Sequence, residues 1–526
     1  MRQLLLVLQQ HPACHALYAM LAGAVSIYAY APYHVWWLAA VALWVPLWLS
    51  HQRKIKPFLI IWLCFGFGKM MCGGYWLRIS MINYGDLSLG FATFLLILFS
   101  LYLSVFALLA GGLLYICNPK HKITTTAWVF PAIWCLCAWL RGEVLTGFPW
   151  IWDGYALTDT LFFPLAGILG ALGLTLFSAF LTTSLWLLMH RHFRPLALQM
   201  SLLSAVVLFS YLYQPIHLTG QQIIATTVQA NIPQDIKWSP ASVQREMNIY
   251  SQLSRPHWQT SDLIIWSEAA ISAPEHRLQL FLRQVDIEGR HHQTAILTGL
   301  LERSDQQSYN ALIVLGQYEM NPNPAYTYMT HKNNRYRKNH LLPFGEFVPL
   351  REQLKKLGTF FNLPMSNFAR GAYQQASLQA KGYKILPAIC YEIAFAQQLK
   401  DNFKEDISFI LTLSNDTWFG QSIGPHQHLQ TAQMRAAELG RPLVRSTNNG
   451  ISAFIDADGQ ITKRSPQFEA TTMTHTISPT TGRTLFSYYG QTPFWISSLL
   501  MIIAACYVNR RQPSDAANSN TSAYIS

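Results

Sequence analysis

The chain has 526 residues, of which 51% are hydrophobic and only 12% charged, with a formal net charge of +12. Soluble globular chains carry about 25% charged residues, so this composition excludes a disordered protein and argues against an ordinary water-soluble enzyme. Charge is also unevenly placed: of 26 acidic residues, four (Asp86, Glu143, Asp153, Asp159) fall in positions 1–219 and 21 in positions 220–490. The first part therefore reads as membrane and the second as a water-facing domain. The basic residues sit between apolar runs, where they orient a membrane protein. With no zinc-ribbon, helix-turn-helix or RNA-binding signature, no nucleic acid is expected.

A helix needs roughly 20 mainly apolar residues to cross ~30 Å of hydrocarbon. That ruler predicts spans near 11–30, 34–50, 57–78, 90–116, 126–141, 161–189, 196–214 and 492–508. The first lacks a clear small-residue cleavage site and is expected to stay as an anchor. The segments HQRKIK from His51, NPKHK from Asn118, HRHFR from His190 and NRR from Asn509 are basic, whereas YGDLSLG and the 150–159 stretch carry acids. Eight crossings with the N-terminus inside put every basic loop on the cytoplasmic side and the large domain outside. The expected organisation is a membrane domain over 1–219 with about seven helices, an extramembrane domain over 220–485, a last span in 490–511 and a disordered polar tail, 512–526.

Between about 220 and 480 the pattern changes to short β-rich runs. Predicted strands are IIATTVQA from Ile223, DLIIWSE from Asp262, TAILTGL from Thr294, NALIVLG from Asn310, YKILPAIC from Tyr383, ISFILTLSN from Ile407 and ISAFIDAD from Ile451. Near-continuous Ile/Leu/Val runs imply strands covered on both faces, hence a layered α/β domain, and TNNG at 447–450 marks a turn. Chemistry in such domains sits just past strand ends. Glu268 ends LIIWSE, Cys390 ends YKILPAIC, and Lys338 lies with Glu346 in YRKNHLLPFGEFVP. A thiol needs a base and local positive charge to act as a nucleophile. Glu268 could take its proton, and Lys338 could stabilise an oxyanion. Taken alone, the same residues also fit a structural thiol, a solvated or lipid-facing cation and a helix-capping Glu.

Of eight cysteines, only Cys390 lies in the polar domain; the other seven sit in or beside apolar segments, where free Cys packs as a small hydrophobe. Neither the histidines of PHQH (His426, His428) and the pair His291–His292 nor Cys135/Cys137 complete a recognisable ligand spacing, so no metal is expected.

The ordered set WSEAA, YRKNHLLPFGEFVPL, ICYE, SNDTWFG and RPLVRSTNNGISA resembles the nitrilase (carbon–nitrogen hydrolase) superfamily. With seven spans before the domain and one after, and LRGEVLTGFPWIWDGY at 140–155, the chain is similar to the apolipoprotein N-acyltransferase family of bacterial inner membranes. The resemblance implies a polytopic α-helical membrane domain of about eight helices joined to a nitrilase-like αββα sandwich facing the periplasm. It places the family's catalytic Glu, Lys and Cys on Glu268, Lys338 and Cys390, and supporting roles on Trp238 (in IKW), Glu346, Tyr391 and Glu392. It further implies a phospholipid acyl donor, the sn-1 chain of phosphatidylethanolamine, a thioester on Cys390, a diacylated apolipoprotein acceptor, membrane lipids as surroundings, a monomer, and no cofactor. One departure is Ser267, which stands where the family has Pro and is expected to tune the position of the base. Gly147–Tyr155 and Phe344–Phe347 are expected either to line lateral access for acyl chains or to form an interfacial aromatic belt. The Pro/Gly-rich surroundings of Glu346 suggest a lid. The rival readings are a membrane-tethered amidase with the same three residues, a transporter or binding protein, and a lipoprotein-binding relative without activity. The few ionisable residues in the spans, Lys69 and Arg78 among them, argue against transport.

Overall fold

A computed structural model describes residues 12–237, 240–304, 306–316, 328, 333–347 and 368–511. Residues 12–212 are mostly helical, because runs of Leu, Ala, Phe and Trp in hydrocarbon leave backbone groups no partners but each other. The helices are α1 (Pro12–Val25), α2 (Trp37–Ser50), α3 (Ile55–Gly73), α4 (Trp76–Gly85), α5 (Leu89–Cys117), α6 (Ile123–Glu143), α7 (Ala166–Met189) and α8 (Phe193–Leu212). Helices α1 and α3 cross so closely that a Cβ on Gly68 would stand 1.9 Å from the Met20 carbonyl oxygen and one on Gly23 2.1 Å from that of Phe65. Small residues at the contact are what permit this approach.

Among the described residues, six segments are long and apolar enough to cross a membrane: Pro12–Ala29, Ile55–Gly73, Leu89–Cys117, Ile123–Thr146, Phe163–Met189 and Phe193–Leu212. The two other predicted spans form shorter apolar helices, Trp37–Ser50 and one beginning at Thr492. The span predicted over 57–78 instead stops at Gly73: the backbone leaves the helix at Gly74 and a separate α4 begins at Trp76. The polar tail 512–526 lies outside the described residues.

After α8 the strands follow: β1 (His217–Leu218), β2 (Ile223–Gln229), β3 (Leu263–Ile265), β4 (Ala295–Ser304), β5 (Gln307–Leu315), β6 (Arg335–Arg337), β7 (Leu378–Ala380), β8 (Tyr383–Ile389), β9 (Ile407–Ser414), β10 (Leu443–Thr447), β11 (Ala453–Ile455), β12 (Ile461–Arg464), β13 (Thr471–Ile477) and β14 (Thr480–Thr481). They form two six-stranded sheets, β13-β2-β3-β4-β5-β6 and β12-β11-β10-β9-β8-β7, and a small β1-β14 pair. Among the described residues, helices α9 (Pro240–Ser254), α10 (Glu275–His292), α11 (Ala396–Asn402), α12 (Gly424–Leu439), α13 (Leu485–Tyr489) and α14 (Thr492–Arg511) follow α8.

Strand alternation builds the layers. Leu263 and Ile265 of β3 face Ile385, Ile389, Phe409 and Leu411 of the opposite sheet. The intervening Ile264 faces outward to Tyr250, Leu278 and Leu282 on α9 and α10. On the far side, Leu386 and Ile410 pack on Leu399, Leu429, Ala432 and Ala436 of α11 and α12. The order is helix, sheet, sheet, helix, as the resemblance implied. Strands β2, β3 and β4 run parallel, as do β8, β9 and β10, so the C-terminal ends within each group lie at one edge. Helix α12 is buried between its sheet and the membrane helices, where Glu438 accepts from the Ala171 N–H on α7 at 2.7 Å.

Candidate active site

Strand β8 ends at Ile389, and Cys390 turns the chain with φ +53° into a short 3₁₀ turn, Cys390–Ala394. A left-handed backbone is uncommon for a residue with a Cβ and costs about 1–2 kcal/mol, so something must hold it. Glu392 is one support. Its buried carboxylate accepts from the N–H groups of Ile389 at 2.8 Å, Asn339 at 2.7 Å and His340 at 3.0 Å, and from the Tyr336 hydroxyl at 2.9 Å. Burial raises the Glu392 pKa, while those amides and the nearby Lys338 favour the carboxylate. Glu392 thus ties the Cys390 turn to the segment after β6 that carries Lys338.

Three strand ends converge beside that turn. Lys338 directly follows β6 and is 1% exposed, and Glu268 lies three residues beyond β3 at 7%. Lys338 Nζ sits 2.8 Å from Glu346 Oε2 and 3.5 Å from Glu268 Oε1. The Asn310 amide on β5 bridges both carboxylates, donating at 2.7 Å to Glu268 Oε1 and at 2.8 Å to Glu346 Oε1. The Asn415 N–H, just past β9, donates to Glu268 Oε2 at 2.9 Å, and the Leu342 N–H donates to Glu346 Oε2 at 2.8 Å. Burial disfavours the Lys338 ammonium, but Glu346, Glu268 and Cys390 outweigh it and hold it above its ordinary pKa.

Cys390 itself is half-buried. Burial and then Glu268 push its thiol far up, with Lys338 opposing. Burial and Glu268 thus favour the thiol form of Cys390, and Lys338 favours the thiolate. Lys237 is buried, and its Nζ has no hydrogen-bond partner among the described residues. Burial lowers its pKa to about 8, against the pull of Glu246 and Glu268.

The membrane helices reach this site directly. The Tyr391 hydroxyl donates to the Gly147 carbonyl at 2.9 Å, His340 Nε2 lies 2.9 Å from the Thr146 carbonyl oxygen, and Trp150 Nε1 donates to Gln427 at 2.6 Å. Arg141, at the end of α6, holds the same loop through the carbonyls of Phe148 and Trp150. Phe148, Trp150, Trp152 and Tyr155 are all buried. The 147–155 stretch is therefore neither an interfacial belt nor an open lining but a packed joint between helices and sandwich. Phe344, in contrast, is half-exposed at the site's rim. Helix α4, which the sequence reading merged with its neighbours, braces the 415–420 loop: the Tyr84 hydroxyl donates to the Thr417 carbonyl at 3.1 Å, and Ser80 to that of Trp418.

The structure thus brings together Glu268, Lys338, Glu346, Cys390, Tyr391 and Glu392; Trp238 lies outside the described residues. Ser267 shares a 2.7 Å hydrogen bond with the Tyr250 hydroxyl on α9, anchoring the exit from β3 by a side-chain contact. Asn310, Asn415 and Gly299 were not foreseen. A polar residue opening the apolar run NALIVLG was the available signal for Asn310. A Cβ on Gly299 would stand 2.7 Å from Glu268 Cα and from the Ala269 nitrogen, so only Gly lets β4 pass under the Glu268 turn. Among the described residues no group of three His, Cys, Asp or Glu side chains could hold a metal ion. His426 and His428 lie on α12 and His291–His292 at the end of α10.

Residues 224–485 match the carbon-nitrogen hydrolase family, and residues 22–185 match the apolipoprotein N-acyltransferase N-terminal domain. A protein of Shewanella oneidensis named apolipoprotein N-acyltransferase is 42% identical over 488 residues, covering 92% of this chain and 94% of that one. Proteins of the same name from Photobacterium profundum and Vibrio cholerae are each 38% identical, over 94% and 92% of this chain and 95% of each of theirs.

Proposed function

The chain belongs to the apolipoprotein N-acyltransferase family, and from that premise we propose that it moves an acyl chain from a membrane phospholipid to the N-terminal amine of a diacylated lipoprotein. The observation that carries the residue assignment is the meeting of a strand-end thiol, a buried carboxylate and a buried ammonium at the sandwich edge joined to the apolar helices.

In the first half-reaction Glu268 takes the Cys390 proton as sulfur attacks the ester carbonyl carbon, at the sn-1 position of phosphatidylethanolamine. The negative charge that develops on the carbonyl oxygen is met by Lys338, whose position is fixed before substrate arrives. The C–O bond breaks, the departing alkoxide takes the proton back from Glu268, and lysophospholipid leaves a thioester on Cys390. In the second half the lipoprotein amine attacks that thioester, Glu268 accepts the amine proton, the C–S bond breaks and the thiolate is reprotonated. Splitting one transfer into two steps gives ping-pong kinetics. No cofactor enters either half.

The helices supply what the chemistry needs from a membrane. Drawing acyl chains into water costs about 0.8 kcal/mol per CH₂, so both substrates approach within the bilayer while their headgroups reach the sandwich. We place eight crossings in the bacterial inner membrane, N-terminus inside and sandwich in the periplasm. Two features support this polarity. The basic loops gather at one end of the bundle, where the His51 ring lies 6.2 Å from that of His121 and 5.5 Å from that of His190. Thr146, Gly147 and Trp150 meet the sandwich through other loops.

Purified protein given phosphatidylethanolamine and a synthetic diacylated lipopeptide is expected to add one acyl chain to the peptide and release one lysophospholipid per chain. Free fatty acid with unchanged lipopeptide would instead favour the amidase-like hydrolase. Gly299→Ala, which displaces Glu268 through its backbone, is expected to lower the transfer rate by at least about tenfold with the thermal unfolding transition retained. An unchanged rate would show that the Glu268 turn tolerates the shift.

A further inference from the structure

His428, singled out in PHQH, has no part in the transfer chemistry above. Its ring is fully buried on α12, behind the nucleophile turn. Nε2 lies 3.1 Å from the Cys390 carbonyl oxygen, while Nδ1 lies 3.1 Å from Asp416 Oδ1 and 3.0 Å from Arg445 Nη2. A carbonyl can only accept, so Nε2 must carry a hydrogen. A hydrogen on Nδ1 as well would face the Arg445 guanidinium, which has only donors to offer. Asp416 does not need it: Arg445 Nη2 donates to Oδ2 at 2.6 Å and the Ser414 hydroxyl to Oδ1 at 2.6 Å. Burial and then Arg445 also lower the His428 pKa, with Asp416 opposing. A neutral ring with its hydrogen on Nε2, and Nδ1 accepting from Arg445, satisfies the Cys390 and Arg445 contacts; Asp416 is then held by Arg445 and Ser414 and takes no hydrogen bond from the ring. The rings of Trp150, from the membrane loop, and Phe419 enclose it at 5.7 and 5.8 Å.

We propose that His428 is a positioning residue for acyl transfer: a neutral Nε2–H donor, held at Nδ1 by Arg445, which Asp416 binds in turn, it fixes the Cys390 carbonyl and so keeps the nucleophile's backbone in its left-handed turn. The proposal rests on Cys390 being the nucleophile. Activity surviving in Cys390→Ser would remove that premise, whereas the following results bear on His428 alone.

Gln carries an amide nitrogen near the place of Nε2, and Asn carries one near the place of Nδ1. In full-length protein with phosphatidylethanolamine, His428→Gln is expected to form the thioester in single turnovers within roughly fivefold of the parent. His428→Asn is expected to lose on the order of 10²-fold, with KM for the phospholipid unchanged. Equal rates in all three proteins would overturn the proposal. Equal large losses in both variants at unchanged melting temperature would overturn it in favour of proton transfer by the ring. Independently of any variant, ¹⁵N spectra of histidine-labelled parent should show His428 as the neutral Nε2–H tautomer from pH 6 to 9. An imidazolium or an Nδ1–H tautomer would also overturn the proposal.

Discussion

Lys338→Met is expected to abolish measurable acyl transfer, a loss of at least about 10³-fold, and to destabilise the sandwich at the same time. The kinetic loss follows from removing the only cation bonded to Glu268 among the described residues, the group proposed to meet the developing oxyanion. The stability loss follows from what remains: Glu268 and Glu346, both largely buried, sharing one Asn310 amide with no cation between them. Removing one partner of a buried ion pair costs about 3–5 kcal/mol. The two effects separate in a double variant. Lys338→Met with Glu346→Gln removes one of the stranded carboxylates and is expected to recover much of the melting temperature and none of the activity. Activity returning with stability would mean that Lys338 only holds the fold.

Glu268→Gln keeps the shape of the site and removes the proton acceptor proposed above. The acylation rate at pH 7 is expected to fall on the order of 10³-fold, with the protein folded. The pH dependence of the residue left behind is informative. Burial, with or without the contribution of Glu268, raises the Cys390 pKa, which favours the protonated thiol at neutral pH. With no base, the rate must follow the thiolate fraction, which grows about tenfold per pH unit below the thiol pKa. Residual acylation by Glu268→Gln is therefore expected to climb steeply from pH 7 to 9, while the parent rises less. A flat residual rate, or near-parent activity at pH 7, would assign the proton to another group.

The membrane helices and the central strands were legible because hydrophobic run length and β-branched density set them directly. Strands β2, β4, β8 and β9 coincide with apolar runs covered on both faces. Edge strands β12 (ITKR) and β13 (TTMTHTI) were not predicted, since exposure on one side lets polar residues dilute the pattern. Strand β6 has three residues, Arg335–Arg337, two of them charged. Its pairing with β5 comes from tertiary contact, and no propensity would announce it. Helix α4 was absorbed into the third span and the loop beyond it because hydropathy does not register the Gly73–Gly74 break.

The positions of Glu268, Lys338, Cys390, Glu346, Tyr391 and Glu392 followed from motif order, and spacing alone could not have joined segments 52 and 70 residues apart. What no motif carried is how they are held. Asn310 bridges two carboxylates, Gly299 makes room under Glu268, and the Thr146–Trp150 loop fastens the Cys390 turn to the bundle. Such roles depend on which backbone atoms end up within 3 Å of each other.

The most direct test of the account is the mass of the protein after incubation with phosphatidylethanolamine alone, beside Cys390→Ser. The account predicts a gain of one acyl chain, located on the Cys390 peptide, released by hydroxylamine, cleared by a diacylated lipopeptide and absent from Cys390→Ser. A folded protein that acylates lipopeptide without ever carrying that mass, or that carries it equally in Cys390→Ser, would contradict the thioester route through Cys390.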